Sequence, residues 1–301
     1  MHKFPYRWTL KDARFTKDKG KVFSCFACGG GSTMGYKLAG FDVIGCNEID
    51  PRMNKVYVAN HHPRLNYLCD IREMVTKELP DELYHLDILD GSPPCSSFST
   101  AGNRDDDWGK EKKFREGQAM QVLDTLFFDF IDLAKELQPK IVIAENVKGL
   151  LLGEAINYVR RIYDEFDKAG YKVCHTLCNA SLMGVPQRRE RVFFTAIRKD
   201  LFDYIPQRHD LFESYPEIDL TFKEDGIIFN ECYVPGVDDR PASKGKMKEY
   251  WDKRKPEDDN FRDTIVREWN QDKCFNNYYL KHDQVSPTLT SNSDVLYLFD
   301  E

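Results

Sequence analysis

Between Val22 and Ala39 a short apolar run, Val22-Phe23-Ser24-Cys25-Phe26, breaks on three consecutive glycines, Gly29-Gly30-Gly31, and an amphipathic stretch follows from about Thr33. A strand that ends in such a turn and opens a helix points to a sheet with helices packed on it. The pattern continues along the chain. Val43–Asn47 is predicted as a second strand, with a helix from about Pro51 to Asn60 that ends on His61-His62, read as surface residues, and Leu86–Leu89 as a third, short strand. A helical pattern from about Ala119 to Leu137 stops before Pro139. Ile141–Ala144 reads as a buried strand, with a helix near Gly153–Ala169, and Tyr171–Cys178 and Arg191–Ile197 as two adjacent strands. The expected fold class is α/β, with a parallel sheet covered on both faces.

With 301 residues the chain is long enough for one large domain or two modest ones. After about Asp200 the alternation fades, and from Asp203 to Tyr279 the sequence is rich in charge, aromatics and proline. A second, smaller, irregular domain is expected there. No apolar run reaches the roughly 18 residues of a membrane span. The N-terminus lacks the apolar core of a signal peptide, so a cytoplasmic location is expected. Nine scattered cysteines, an odd number, suit reduced thiols better than a disulfide framework. The net charge of -7 argues mildly against nucleic acid as partner, but a groove needs only a local basic footprint. Gln187-Arg188-Arg189-Glu190-Arg191 and the stretch Lys244–Lys255 are two such clusters, with a solvated face as the alternative reading.

Four stretches carry candidate chemistry. In the glycine turn, Phe26, Ala27, Gly29, Gly30 and Gly31 would let the backbone approach a nucleotide-like ligand; a plain turn or a nicotinamide dinucleotide site would share the pattern. About seventeen residues past the glycines the second strand ends in Asn47-Glu48, where a carboxylate can accept both hydroxyls of a ribose, or simply sit as a charge at a helix start. Asp70-Ile71 could receive an adenine amino group, although an N-cap is the commoner use of such an Asp. Pro93-Pro94 stiffens the approach to Cys95, a candidate thiolate nucleophile whose alternative is a structural cysteine. Glu145-Asn146-Val147 leaves the end of a buried strand, so Glu145 and Cys95 are expected to face one crevice. Cys25-x-x-Cys28 has no second pair at metal spacing, and no metal is expected.

Taken in order, the glycine turn, the acidic strand end, Pro-Pro-Cys, Glu-Asn-Val and Gln187-x-Arg189-x-Arg191 resemble the cytosine-5 DNA methyltransferases over about residues 20–200. The resemblance implies a Rossmann-like S-adenosylmethionine-dependent methyltransferase sheet over residues 1–202, a target-recognition domain over 203–285 and the start of a return segment over 286–301. It implies S-adenosyl-L-methionine as cofactor and double-stranded DNA as partner. Cys95, Glu145, Arg189 and Arg191 would be catalytic. Phe26, Ala27, Gly29, Gly30, Gly31, Glu48, Ile49, Asp70, Ile71 and Pro93 would bind the cofactor. Ser99, in a polar loop that closes over the base, Asn146 and Gln187 would serve the substrate side. Arg188 lies at a variable motif position, read as a phosphate contact or a solvated charge. Two departures stand out: Ser96 follows the nucleophile where the family usually has Gln, and Cys28 stands where Gly is common.

One branch of the family uses this site on transfer RNA, but its recognition signature is absent from the sequence. A non-catalytic relative would be expected to lose Cys95, Glu145 or the arginines. Both a restriction–modification role and an orphan or phage-protective role fit the residues. Ser286-Pro287-Thr288-Leu289-Thr290 resembles the stretch before the family's Arg-x-x-x-Pro-x-Glu and Gly-Asn-Ser segments, which do not follow it. The resemblance therefore implies a truncation, a second subunit carrying those segments or an early stop that leaves a defective protein; the intact catalytic set favours the first two, with weak or no activity from residues 1–301 alone.

Overall fold

The computed structural model describes residues 13–94, 125–210, 213–233, 245–274, 277–289 and 296–298. By internal contacts the chain forms two compact units. The larger comprises residues 8–178 and 191–220, the smaller residues 1–7, 179–190 and 221–301.

A seven-stranded sheet forms the centre of the larger unit. Its strands are β1 (Lys21–Cys25), β2 (Asp42–Glu48), β3 (Leu65–Leu68), β4 (Ile88–Gly91), β5 (Ile141–Val147), β6 (Tyr171–Asn179) and β7 (Glu190–Arg198), in the order β3-β2-β1-β4-β5-β7-β6. The first five pair in parallel. Strand β7 enters antiparallel beside β5, so the sheet is mixed rather than parallel throughout as the alternation suggested. Only a short connection with one 3-10 turn, Ala180–Met183, joins β6 to β7, and a parallel return needs a crossover of a dozen or more residues. The order runs outward from β1 on one side and from β4 on the other. Their carboxyl ends thus flank a topological switch point, where open α/β sheets bind ligands.

Helices α1 (Gly31–Leu38), α2 (Pro51–His61), α3 (Ile71–Val75), α4 (Leu126–Leu137) and α5 (Ile156–Lys168) pack on this sheet. Helix α2 starts where Asp50 accepts from the backbone N–H groups of Arg52 and Met53 and Pro51 takes the first turn. Helix α5 buries Tyr158, Val159, Ile162 and Phe166, a stripe with helical spacing. Successive strand residues face opposite sides. Phe23, Ile44, Leu89 and Val142 join the main core with Phe127, Phe130, Phe166 and Phe194, whereas Val22, Val43 and Ile88 pack with Tyr36 and Phe41 on the other face. A short hairpin, β8 (Gln207–His209) with β9 (Ser214–Pro216), completes the larger unit.

The smaller unit contains α6 (Phe229–Cys232), α7 (Lys246–Asp252), α8 (Phe261–Trp269) and the parallel pair β10 (Tyr278–Leu280) and β11 (Leu296–Leu298). Its core is aromatic: Tyr250, Phe261, Ile265 and Tyr279, with Trp251 and Trp269 against them. Buried Asp258 pairs with Arg267 and accepts from Thr264 Oγ1 at 2.7 Å, which gives this small core a satisfied polar centre.

Candidate active site

The turn after β1 is a chain of left-handed residues. Phe26, Cys28 and Gly30 have φ of 52°, 46° and 90°. Only glycine adopts this conformation without penalty. Gly30 is required for a second reason, because a Cβ there would collide with the His61 ring and press on Tyr57. His61, expected on the surface, is buried against this turn and holds Lys37 through its carbonyl at 2.9 Å. Burial and the nearby Lys37 charge hold the ring below its ordinary pKa. A Cβ on Gly31, by contrast, would meet nothing within 4 Å among the described residues.

Glu48, at the end of β2, is 6% exposed. Its Oε2 accepts the Cys28 N–H at 2.7 Å and its Oε1 the Asp50 N–H at 2.8 Å. The carboxylate therefore fastens the turn to β2, and each oxygen keeps acceptor capacity. Ala27 is buried and donates to the Asn47 carbonyl at 3.2 Å. The Phe26 ring lies edge-on to Phe130, centroids 6.2 Å apart, and Ile49 is half-buried. Asp70 is the N-cap of α3 and also holds the Arg72 guanidinium at 2.9 and 2.6 Å, so both its oxygens already have partners. Ile71 beside it is buried in the core.

Across the switch point, β4 and β5 bring a second group together. Asn146 is 3% exposed; its Nδ2 donates to the Pro93 carbonyl at 3.2 Å, and its Oδ1 accepts the Val147 N–H at 2.8 Å. The Asn146 side chain thus ties the end of β5 to the proline segment that leads to Cys95. Beside it, Glu145 Oε1 lies 2.8 Å from Arg191 Nε on β7. Ser92 Oγ donates to the Phe26 carbonyl at 3.4 Å, linking this segment to the glycine turn. Cys95 and Ser99 lie outside the described residues.

The sequence reading missed one cluster. Asp90 on β4 is 7% exposed, and its Oδ2 accepts hydrogen bonds from Ser24 on β1 at 2.9 Å and Ser32 on α1 at 2.8 Å. Its Oδ1 accepts from the Tyr36 hydroxyl at 3.2 Å. Among the described residues no cationic side chain pairs with it. Burial pushes the Asp90 carboxyl up to about 6, against the opposing pull of its three hydroxyl donors. The available signal was polarity in the wrong place: Asp90 and Ser24 both interrupt apolar strands.

Within the smaller unit, the Gln187 backbone bridges Ser286 and its Oε1 accepts the Leu289 N–H at 3.2 Å. Arg188 N–H donates to the Ser286 carbonyl at 2.8 Å, and the Arg189 carbonyl accepts from Ala180 N–H at 2.9 Å. The Gln-x-Arg-x-Arg segment and Ser286–Leu289 are thus held to each other.

A family model described as C-5 cytosine-specific DNA methylase matches residues 20–293. The chain belongs to that family. The chain is 40% identical over 184 residues to the Type II methyltransferase M.FnuDI of Fusobacterium nucleatum, which covers 60% of this chain and 48% of that protein. With the Type II methyltransferase M.Eco47II of Escherichia coli the identity is 32% over 256 residues, 84% of this chain and 55% of that one. The chain spans about half the length of the relatives it matches, 48% and 49% for the first two. Its fold is similar to a solved structure described as a DNA modification methyltransferase encoded within a prophage, from E. coli, with a TM-score of 0.55 and 20% identity. That match covers 89% of this chain and 82% of the other. No helix among the described residues is long and apolar enough to cross a membrane. The described residues also contain no group of three or more His, Cys, Asp or Glu placed to hold a metal.

Proposed function

We propose that this protein transfers a methyl group from S-adenosyl-L-methionine to carbon 5 of a flipped cytosine in double-stranded DNA, through a covalent adduct on Cys95. The observation that carries the reading is the Glu145–Arg191 pair, set on the strand end where Asn146 fastens the Pro93 carbonyl, in a chain whose family match runs from 20 to 293. The space that the described residues leave at Gly31, the fixed Glu48 carboxylate and the buried Asp90, which has no cationic partner among the described residues, suit a nucleoside ligand bearing positive charge. Phe26, Ala27, Gly29–Gly31, Glu48, Ile49, Asp70, Ile71 and Pro93 would hold that ligand, with Glu48 on the ribose. When bound, it supplies an electrophilic methyl on a sulfonium.

The chain's own residues activate the base. Carbon 5 of cytosine is a weak nucleophile until carbon 6 is attacked. The Cys95 thiolate adds to carbon 6, and Glu145 hydrogen-bonds the ring nitrogen and exocyclic amine, supporting protonation of the ring as the carbon–sulfur bond forms. Arg191 holds Glu145 in place, and Arg189 and Arg191 orient the extruded nucleotide. After methyl transfer, loss of the carbon 5 proton expels Cys95 and restores the double bond. The base must leave the duplex to reach such a group. Residues 203–285 supply the base-reading contacts, with Gln187 bracing the segment that carries the arginines and Ser99 in the loop that closes on the base. Bisulfite sequencing of DNA from cells expressing the protein tests the reading. Methylated cytosines at one short recurring sequence, absent with Cys95→Ser, are expected; unmethylated DNA with the wild type would contradict it.

A further inference from the structure

Asp90 stands at the switch point itself. It is the register partner of Ser24 on β1, one residue before Gly91 opens the proline segment, and it reaches Ser32 in the first turn of α1 just past the glycines. A carboxylate in so buried a place normally has a cationic partner, because removing a charge from water is costly. Here hydroxyls are its partners among the described residues: Ser24, Ser32 and Tyr36. Hydroxyl donors satisfy lone pairs but leave the net charge uncompensated. That charge lies beside a turn in which a Cβ on Gly31 would meet nothing within 4 Å among the described residues. The proposed methyl donor carries a sulfonium, an ammonium and one carboxylate, a net positive charge, whereas the demethylated product, S-adenosylhomocysteine, is neutral overall.

We propose that Asp90 is a specificity-determining residue whose buried carboxylate is the counter-charge for the cationic methyl donor, so that the site prefers the charged donor to its neutral product. The inference rests on the cofactor reading above. It goes beyond it in assigning a role in releasing product to a side chain that the ribose and adenine contacts do not involve. A fixed anion in a low-dielectric crevice distinguishes ligands that differ by one charge far better than the same anion in water.

The surrounding groups let the effect be read by pH. Cys25 on β1, Tyr36 on α1, Tyr57 on α2 and Glu145 on β5 face Asp90. Burial raises the Cys25, Tyr36 and Tyr57 groups, so they stay neutral in mildly acidic and neutral solution. Glu145 is paired with Arg191. Protonation of Asp90 near 6 therefore removes the counter-charge over a window in which its protonated neighbours do not change. A cation binds the ionised form better, so donor affinity rises as pH increases through this value and then levels off. Affinity for the neutral product stays flat.

Calorimetric titration of the full chain with S-adenosylmethionine and with S-adenosylhomocysteine, in wild type and Asp90→Asn, tests this. Asparagine keeps the volume, and the three hydroxyls can rotate to accept from its amide, so a thermal melt should show a folded variant. The expected result is a drop of roughly tenfold in donor affinity with little change for the product, and loss of the pH dependence. An unchanged ratio of donor to product affinity, or an equal loss of both, would overturn the proposal and leave Asp90 a structural group. Failure of the wild type to bind either ligand would overturn the cofactor reading as well.

Discussion

Glu145 on β5 and Arg191 on β7 meet diagonally across an antiparallel pair, Oε1 to Nε at 2.8 Å, both side chains about three-quarters shielded from solvent. Glu145 stands opposite Phe193 and Arg191 opposite Val147, so the two project from the same face of the sheet. The reversed direction of β7 makes this possible. It brings Arg191 back to the strand end where Glu145 emerges. Glu145→Gln should lower the rate of methyl transfer roughly 100-fold or more while cofactor binding measured by calorimetry is unchanged. In a double-mutant cycle with Arg191→Met the two losses should be non-additive by about 0.5–3 kcal/mol. Additive losses would mean that the pair does not act as a unit.

The Asp90 carboxyl gives a second expectation, on stability. Its folded pKa of about 6 lies above the ordinary 3.8, so the folded chain holds this proton more tightly than the unfolded one. The Asp90 contribution to stability is then greatest below about pH 4 and declines as pH rises to about 6, by roughly 3 kcal/mol in total. Asp90→Asn should remove this decline. Urea midpoints compared at the two ends of the window check it: variant and wild type should nearly coincide in acid, and the variant should be more stable at neutral pH. Parallel midpoint curves would contradict the assignment.

Glu48 accepts two backbone N–H groups, so the ribose contact proposed for it would be tied to the local order of the turn. Glu48→Ala should weaken S-adenosylmethionine binding by about 1–3 kcal/mol, the cost of losing a charged hydrogen-bond partner. Glu48→Gln keeps an acceptor for the turn and should lose less stability than affinity. Calorimetry and thermal melts on the same samples separate the two effects, and unchanged affinity in both variants would return Glu48 to a purely structural role.

Most of the sheet was legible because β1, β2, β5, β6 and β7 are apolar, bounded by glycine, proline or charge, and separated by helical periodicity. Strand β3 was not, since Leu65–Leu68 is a four-residue edge strand without a β-branched residue, half its side chains exposed. The site divides in the same way. Glu48, Glu145 and Asn146 announce themselves by polarity at strand ends. Asp90 and Ser24 are 66 residues apart, and their bond exists only because β1 and β4 are neighbours in the sheet. His61 read as a surface residue because its burial depends on the missing side chain of Gly30, thirty-one positions away.

The basic stretch near α7 is less free for DNA than its composition suggests. Lys248 is paired with Asp252 at 3.0 Å, and the Arg254 guanidinium stacks over Trp251 at 3.9 Å from the ring centroid. Lys244 lies outside the described residues. Lys246, Lys253 and Lys255 remain the better candidates for phosphate contact. Replacing these three by Gln should flatten the slope of log affinity against log salt for duplex DNA by roughly 2–3. Arg254→Gln should act mainly on the stability of the smaller unit. An unaltered slope in the triple variant would place the phosphate contacts elsewhere.

The central claim is a covalent bond between Cys95 and a cytosine in DNA. Duplex DNA carrying 5-fluorocytosine blocks the last elimination, because fluorine cannot leave as the proton does, and so holds the adduct. In the presence of S-adenosylmethionine the protein should form a denaturant-resistant complex with this DNA, and peptide mapping should place the nucleotide on Cys95. Attachment to any other cysteine, or no complex at all, would contradict the account.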